Sequence, residues 1–413
     1  MGQGISYPGV MMIANRLQAL KPSPTLMLSQ KASDLKAQGR DIINLTVGEP
    51  DFPTPSWICD GATAAMAAGQ TKYTAVGGTP ALKNAIIKKL ERDNHLTYSA
   101  AEVVVSCGAK QVIFNAMMAT LNPGDEVIIP APYWVSYPEM VTLFSGNPVI
   151  VSCPQAQEFK MSPEDLEAAI TPKTKWLILN SPSNPTGTAY SYEELWKIAQ
   201  VLRRHPQVMI LCDDIYEHLM FDGEPFHTLA DVEKDLKSRT LIVNGVSKTY
   251  SMTGWRLGYG AGPSWLIQAM TDIQSQSTSN ACSIAQAAAV AALEGPQDFI
   301  QEWRQSFQDR RNYVVERLNQ IPGVECLNPQ GAFYVFPDCL DLMGRKTPQG
   351  DRLVNDTELC AYLLEVAEVA MVPGSAFGMP NHLRLSYAVS LETLQKACDR
   401  LERVISSFQI SDT

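Results

Sequence analysis

The sequence predicts an α/β fold: a large domain with a mostly parallel sheet covered by helices, followed by a smaller α+β domain. Three observations lead there. Short β-branched or leucine-rich runs alternate with longer amphipathic ones over about 150 residues, the order of strand–helix–strand units with a parallel sheet. Two of the helical stretches carry start signals. Ser162-Pro163 sets a capping residue before a first-turn proline, and Ser191 with Glu194 fits a capping box. Beyond Gly295 the order changes to long helices mixed with short apolar runs, which suggests a second domain of different build.

The runs at 102–106, 126–129, 148–151, 175–179, 207–212 and 240–243 read as buried strands, because unbroken apolar stretches of that length suit a sheet covered on both faces. Between them, 110–121, 163–170, 192–204 and 229–237 read as helices. The second domain opens with a helix over 297–320, ended by Pro322-Gly323. It continues with GAFYVFPD, a helix over 356–367, VAMVPG, the strand HLRLSYA and a closing helix over 391–408. Residues up to about Pro55 could join either domain. The proline- and glycine-rich places at 50–55, 77–80, 181–187 and 373–378 read as loops within domains.

Composition narrows the function classes. With 45% apolar and 18% charged residues the chain has ample core material, which argues against disorder. Lys and Arg number 33 against 43 Asp and Glu, a net charge of −10 that repels nucleic-acid backbones and anionic membranes. A local basic pocket is still allowed. The longest low-charge stretch, 281–293, contains Ser283 and Gln286 and is too short to span a bilayer. Nine widely spaced cysteines without a C-x-x-C read as reduced, buried thiols of a cytoplasmic protein. The five histidines are scattered, so no metal site is expected. The opening MGQGIS matches a myristoylation pattern through Ser6, but no basic segment follows, and one acyl chain anchors only marginally.

Ligands of open α/β sheets gather outside the carboxyl ends of the strands. The segments following the predicted strands are SCGAKQ, PAPYW, NSPSNPTG, CDDIYEH and NGVSKTYSMTGWR. Five such polar and aromatic loops on one rim suggest a cofactor pocket. Gly108-Ala109-Lys110 sets small residues at a helix start, which leaves N–H groups for a phosphate; a plain turn is an equal reading. Lys248 stands eight residues before Arg256, and a nearby cation with low-dielectric walls lowers an amine's pKa, which suits Schiff-base chemistry. The bland alternative is a solvated lysine. Asp213 ends an apolar strand, where a carboxylate is costly unless it meets a cation, although a cap is the commoner use. Tyr216 lies three residues further on. The GYGAG at 258–262 reads as strand and turn rather than a dinucleotide site, since Pro263 follows and the acidic partner is missing. SKTYS lacks the glycine frame of a P-loop.

Together, NLTVGEPDFPTP, KYTAVGGTPALKNAI, APYWVSYPE, NSPSNPTG, DDIYEHL, SKTYSMTGWRLGYGAGP and LRLSYAVS resemble the class I pyridoxal-phosphate aminotransferases. They are most similar to the bacterial-type aspartate aminotransferase branch, which includes aspartate/prephenate enzymes. The likeness runs in order from about Arg16 to Leu401. It implies the type I fold of pyridoxal-phosphate transferases, with a large cofactor domain over 56–304 and a small domain combining 1–55 and 305–413.

The resemblance also implies roles. Lys248 is the Schiff-base lysine and proton shuttle, Asp213 the partner of the ring nitrogen, and Tyr216 and Asn184 the partners of the ring oxygen. Trp134 stacks on the ring. Arg256 holds the phosphate with backbone groups at Ala109 and Lys110, next to Gly108, with a contact from Ser247 left open, and Tyr73 reaches that of a neighbouring subunit, hence a homodimer with a shared site. Arg384 forks the substrate α-carboxylate, helped by Gly48, Asn184 and Trp134. The implied activity is transfer of an amino group from L-aspartate to 2-oxoglutarate by a ping-pong route through pyridoxal 5'-phosphate, with prephenate as a further acceptor left open. Two departures stand out. Gly245 occupies a place where relatives often have a phosphate-binding serine, and no Arg or Lys occurs from Leu257 to Trp303 to meet a distal carboxylate. Lys21 and Lys110 are the candidates for that task. The alternatives are an aminotransferase for aromatic or neutral amino acids including alanine, a pyridoxal-phosphate β-lyase, and a non-catalytic relative.

Overall fold

The computed structural model describes residues 13–20 and 24–409. Strand β1 (Ile43–Asn44) comes first, and the next seven strands form one sheet. These are β2 (Val103–Ser106), β3 (Glu126–Ala131), β4 (Asn147–Ser152), β5 (Thr174–Asn180), β6 (Met209–Asp213), β7 (Thr240–Gly245) and β8 (Gly258–Ala261). Their order across the sheet is β2-β8-β7-β6-β5-β3-β4. Only β8 runs antiparallel to its neighbours, β2 and β7; the pairs among β3 to β7 are parallel.

Both faces of this sheet are covered, and the side chains show it with a period of two. Val127, Ile129, Ile178 and Leu211 pack with Val112, Ile113, Leu266 and Ile267 from the helices Ala109–Thr120 and Ser264–Ser275. Their neighbours Ile128, Leu177, Leu179 and Ile210 pack on the other face with Leu195, Ile198 and Leu202 of the helix Tyr192–Arg204. This is why the strands appear in the sequence as unbroken apolar runs. The predicted N-cap at Ser162 and capping box at Ser191 form: each serine accepts a backbone N–H three residues on, from Asp165 and Glu194, and Asp165 makes the first a capping box as well. The expected helix over 229–237 is instead one turn, Leu229–Val232, followed by a 3₁₀ segment, Lys234–Arg239. Glu233 breaks it with an extended backbone, its carboxylate drawn to Gln200 and Arg203.

The later strands are β9 (Tyr334–Val335), β10 (Val369–Ala370), β11 (Val372–Pro373) and β12 (Leu383–Ser386). Three of them make a small antiparallel sheet in the order β11-β12-β9, while β10 pairs in parallel with β1. Phe307, Leu318, Leu363 and Leu401, from the helices Phe299–Asn319, Asp356–Val366 and Leu391–Ile405, share one core with Ile43 and Leu45. The early segment therefore folds onto the end of the chain. The same core takes in Ile215, Tyr216 and Leu219, so the turn after β6 is gripped from the second layer as well. Among the described residues no helix is long and apolar enough to cross a membrane. None of their His, Cys, Asp and Glu side chains form a group able to hold a metal ion.

Candidate active site

The carboxyl ends of the sheet strands face β12 and the segment after β1 across a cavity of about 320 Å³. Lys248, Asp213, Tyr216, Asn184, Trp134 and Arg256 all line it, as do Ala109, Lys110, Ser247, Arg384 and Gly48. Gly108, next to Ala109 in the chain, is not among the lining residues. Tyr73 does not line this cavity and is 93% exposed. Lys21 lies outside the described residues, as does Ser6.

Asp213 is the last residue of β6 and is buried. Burial pushes its carboxyl up to about 6, against the pull of Tyr137 and Lys248. A phenol rather than a cation meets its side chain: Tyr137 Oη donates to Oδ2 at 2.6 Å, and the Ile215 N–H also favours the charged form. Oδ1 is buried without a hydrogen-bond partner. Asn180, ending β5, donates to the Asp213 backbone carbonyl at 2.8 Å and holds the two strand ends together.

Lys248 stands three residues beyond β7, and its amine donates to the Gly48 carbonyl at 2.5 Å. Burial lowers its pKa to about 8; Arg256 and Arg384 add to the drop and Glu49 opposes it. The amine is 5.9 Å from the ring centroids of both Tyr216 and Phe333. Tyr216 Oη is 2.9 Å from Tyr334 Oη. A Cβ on Gly48 would lie 2.5 Å from that Tyr334 hydroxyl, so only glycine lets the backbone come this close.

At the start of the helix Ala109–Thr120, Gly108 has φ +88 and no side chain caps the first turn. The leading N–H groups are therefore open to an anion. A Cβ on Gly108 would lie 2.4 Å from Arg256 Nη2, and one on Gly258 only 2.2 Å from the Ala109 nitrogen. Glycines thus bring the arginine and the helix start together. Arg256 donates to the Thr253 carbonyl at 2.8 Å. Gly245 has its own explanation. It faces Gly258 across β7 and β8, and a Cβ there would sit 3.0 Å from the Gly258 Cα and the Leu257 carbonyl, a tight fit for any larger residue. Ser247 is buried on the cavity wall.

Arg384 reaches in from β12 and is 3% exposed. Its guanidinium lies 4.8 Å from the Tyr334 ring centroid and 5.0 Å from that of Phe377. Nη1 donates to Asn184 Oδ1 at 3.0 Å and Nη2 to the Thr46 carbonyl, while Nε is buried without a partner. Asn184 Oδ1 being taken by the arginine, its NH₂ is the end left to serve a ligand. Lys110 Nζ stands 4.7 Å above the Trp134 ring, and burial, with Arg256 adding to it, lowers its pKa.

Sequence reasoning missed Tyr137, Tyr334, Asn180, Glu49 and Thr253 as lining residues. Glu49 and Tyr137 lie inside motifs already singled out, one residue from Gly48 and three from Trp134, and strand-end position could have found Asn180. Tyr334 sits on β9 of the other sheet, where no local signal links it to Tyr216.

Four cations (Lys110, Lys248, Arg256, Arg384) and a helix start outweigh the two carboxylates, Glu49 and Asp213. The cavity suits a small polyanion. Its donors fit a phosphate at Gly108–Lys110 and Arg256, and a carboxylate at Arg384. In the same cavity, the Asp213 oxygen without a side-chain partner suits a protonated ring nitrogen, and an amine is present as well. These are the requirements of pyridoxal 5'-phosphate bound with an amino acid.

The model of the family "Aminotransferase class I and II" matches residues 40–401. The chain is 55% identical over 390 residues to the aspartate/prephenate aminotransferase of Cereibacter sphaeroides, covering 94% of this chain and 98% of that one. The crystal structure of the aspartate aminotransferase from Rhizobium meliloti superposes with a TM-score of 0.94 at 51% identity, covering 96% and 99% of the two chains. That of Thermus thermophilus with maleate gives a TM-score of 0.89 at 42% identity, covering 95% and 99%.

Proposed function

Since this chain belongs to the class I and II aminotransferase family, we propose that it moves an amino group from L-aspartate to 2-oxoglutarate, and that it also aminates prephenate. The observation that carries the reading is the grouping in one cavity of a buried lysine, a buried carboxylate and two anion-binding places. Relatives named for aspartate and for prephenate support the substrates, and a relative solved with maleate supports a dicarboxylate.

Pyridoxal 5'-phosphate, when bound, supplies an aldehyde that takes up the amino group and a cationic ring that withdraws electrons from the adjacent carbon. Arg256 and the N–H groups of Ala109 and Lys110 hold its phosphate, with Ser247 beside them. Asp213 would keep the ring nitrogen protonated, because meeting a cation favours its charged form and opposes the effect of burial. Tyr137 holds the carboxylate in place. Tyr216 and the Asn184 amide would hold the ring oxygen, and Trp134, on the same cavity wall, would pack against the ring. Arg384 takes the substrate α-carboxylate as a two-pronged donor, already oriented by Asn184 and Thr46. Lys248 would be the general base that takes the substrate Cα proton, as its lowered pKa suits. Lys110, beside Trp134, meets the distal carboxylate, with Lys21 the second candidate.

We further propose a large domain over 56–304 and a small one from 1–55 and 305–413, a cytoplasmic location, and a homodimer in which the exposed Tyr73 completes the partner's phosphate site.

Two experiments follow. A panel of amino donors against 2-oxoglutarate is expected to favour aspartate over phenylalanine and alanine, with prephenate accepted in place of 2-oxoglutarate. Higher rates with phenylalanine or alanine would assign the chain to the aromatic or neutral class instead. The second concerns pH. In the apo-protein the Lys248 amine is charged below its folded pKa of about 8 and neutral above it. Only the neutral amine attacks an aldehyde, so covalent capture of pyridoxal phosphate, followed by absorbance, should speed up as pH rises through about 8 and level off above. A midpoint near 10.5, the ordinary value for the group, would mean that burial does not tune this amine.

A further inference from the structure

Behind the cavity lies a buried ionic cluster that touches no ligand place. Glu217, four residues past the end of β6, is 5% exposed, and Lys89, on the helix Pro80–Asn94, is 1% exposed. Glu217 Oε1 pairs with the Lys89 amine and accepts from Asn244 Nδ2 at 2.7 Å; Oε2 accepts from Asn94 Nδ2 at 2.7 Å. Lys89 also donates to Asn94 Oδ1 at 2.7 Å. The next residue, His218, has Nδ1 3.2 Å from Thr249 Oγ1 and Nε2 3.3 Å from Asp93 Oδ2. Burial alone would raise the Glu217 carboxyl, but Lys89, His218 and Asn94 outweigh it and hold it below its ordinary range.

Stability does not account for such a pair. Ions taken out of water are costly, and apolar residues of similar volume often serve as well or better. What the cluster does supply is geometry. Asn244, held by Glu217, lies in β7, and its Oδ1 accepts the Gly245 N–H at 2.7 Å, three residues before Lys248. Thr249, held by His218, directly follows Lys248. On the other side Tyr216 directly precedes Glu217, and Asp213 opens the same turn.

We propose that Glu217 is a positioning residue: through Asn244, and through His218 to Thr249, it fixes the segment bearing Lys248 against the turn bearing Asp213 and Tyr216. It rests on the reading of Lys248 as the proton-transferring amine.

The test uses the holoenzyme with the double variant Lys89→Met/Glu217→Gln, which removes both charges at similar volume, and with His218→Gln. In the double variant kcat with aspartate should fall about 10-fold, the scale of a small misplacement of a reacting group, with KM changed less than about twofold. The pH midpoint of the cofactor's visible band should move as well. His218→Gln should change both readouts in the same direction by a smaller factor, about 3-fold in kcat. An unchanged kcat and band midpoint in the double variant, whatever its melting temperature, would overturn the proposal. Should that variant not fold, the same null result in His218→Gln overturns it. Lys248→Ala is run alongside: retained activity there would sink the reading of Lys248 itself, which separates the two failures.

Discussion

Lys248→Ala is expected to lower kcat with aspartate by about 10⁴-fold or more, the upper range for loss of a positioned acid–base group, with loss of covalent attachment added. The reason is local. No other amine in the cavity is equivalent: Lys110 lies over Trp134, whereas Lys248 shares the wall with Asp213 and Tyr216 and has its pKa brought down to about 8. The fold should survive. Truncation removes a desolvated amine and leaves one carbonyl, that of Gly48, without its donor, at a cost of about 1–3 kcal/mol. Steady-state kinetics and a melting curve check this together. A variant that melts normally and still turns over aspartate would place the proton transfer on another group.

Arg384→Lys should have the second-largest effect, even though it preserves the charge. Lysine is a point charge without the planar fork, and at a buried two-pronged site the exchange is not conservative. The arginine bonds to Asn184 and Thr46 and lies between Tyr334 and Phe377, so its replacement also loosens Asn184 beside the ring. Losing a buried charged contact of this kind costs roughly 2–5 kcal/mol, or about 30- to 4,000-fold in kcat/KM. Because every amino and oxo acid carries the same carboxylate, alanine and phenylalanine should suffer as much as aspartate. A loss confined to dicarboxylic substrates would instead place Arg384 at the distal group.

Much of this arrangement was legible in the sequence, for physical reasons that also set the limit. The sheet strands were readable because both their faces are buried, and that same burial put the polar residues at their ends in relief: Asp213 and Lys248 are conspicuous against ILC and IVNGV. The helix Ser283–Glu294 was not readable as amphipathic, since it is alanine-rich and apolar nearly all round, which leaves no period to detect. Gly77–Pro80 read as a loop, yet Thr79 caps and Pro80 begins the helix Pro80–Asn94. The supporting shell was the least legible part. Tyr137 meets Asp213 across 76 residues, Tyr334 meets Tyr216 across 118, and Lys89 meets Glu217 from a helix on another part of the sheet. Such pairings follow from the topology and have no signature in a single segment. The crowding at Gly245, too, becomes visible only once β8 lies beside β7.

The most direct measurement is the first half-reaction alone. The protein loaded with pyridoxal phosphate is mixed with L-aspartate in the absence of any oxo acid, and the visible band and the products are followed. The expected result is loss of the band with release of one oxaloacetate per site and no ammonia, and return of the band when 2-oxoglutarate is added. Release of ammonia and pyruvate when cystathionine or a cysteine conjugate replaces aspartate would identify a β-lyase, and a band indifferent to aspartate would contradict the assignment of this cavity to amino-group transfer from aspartate.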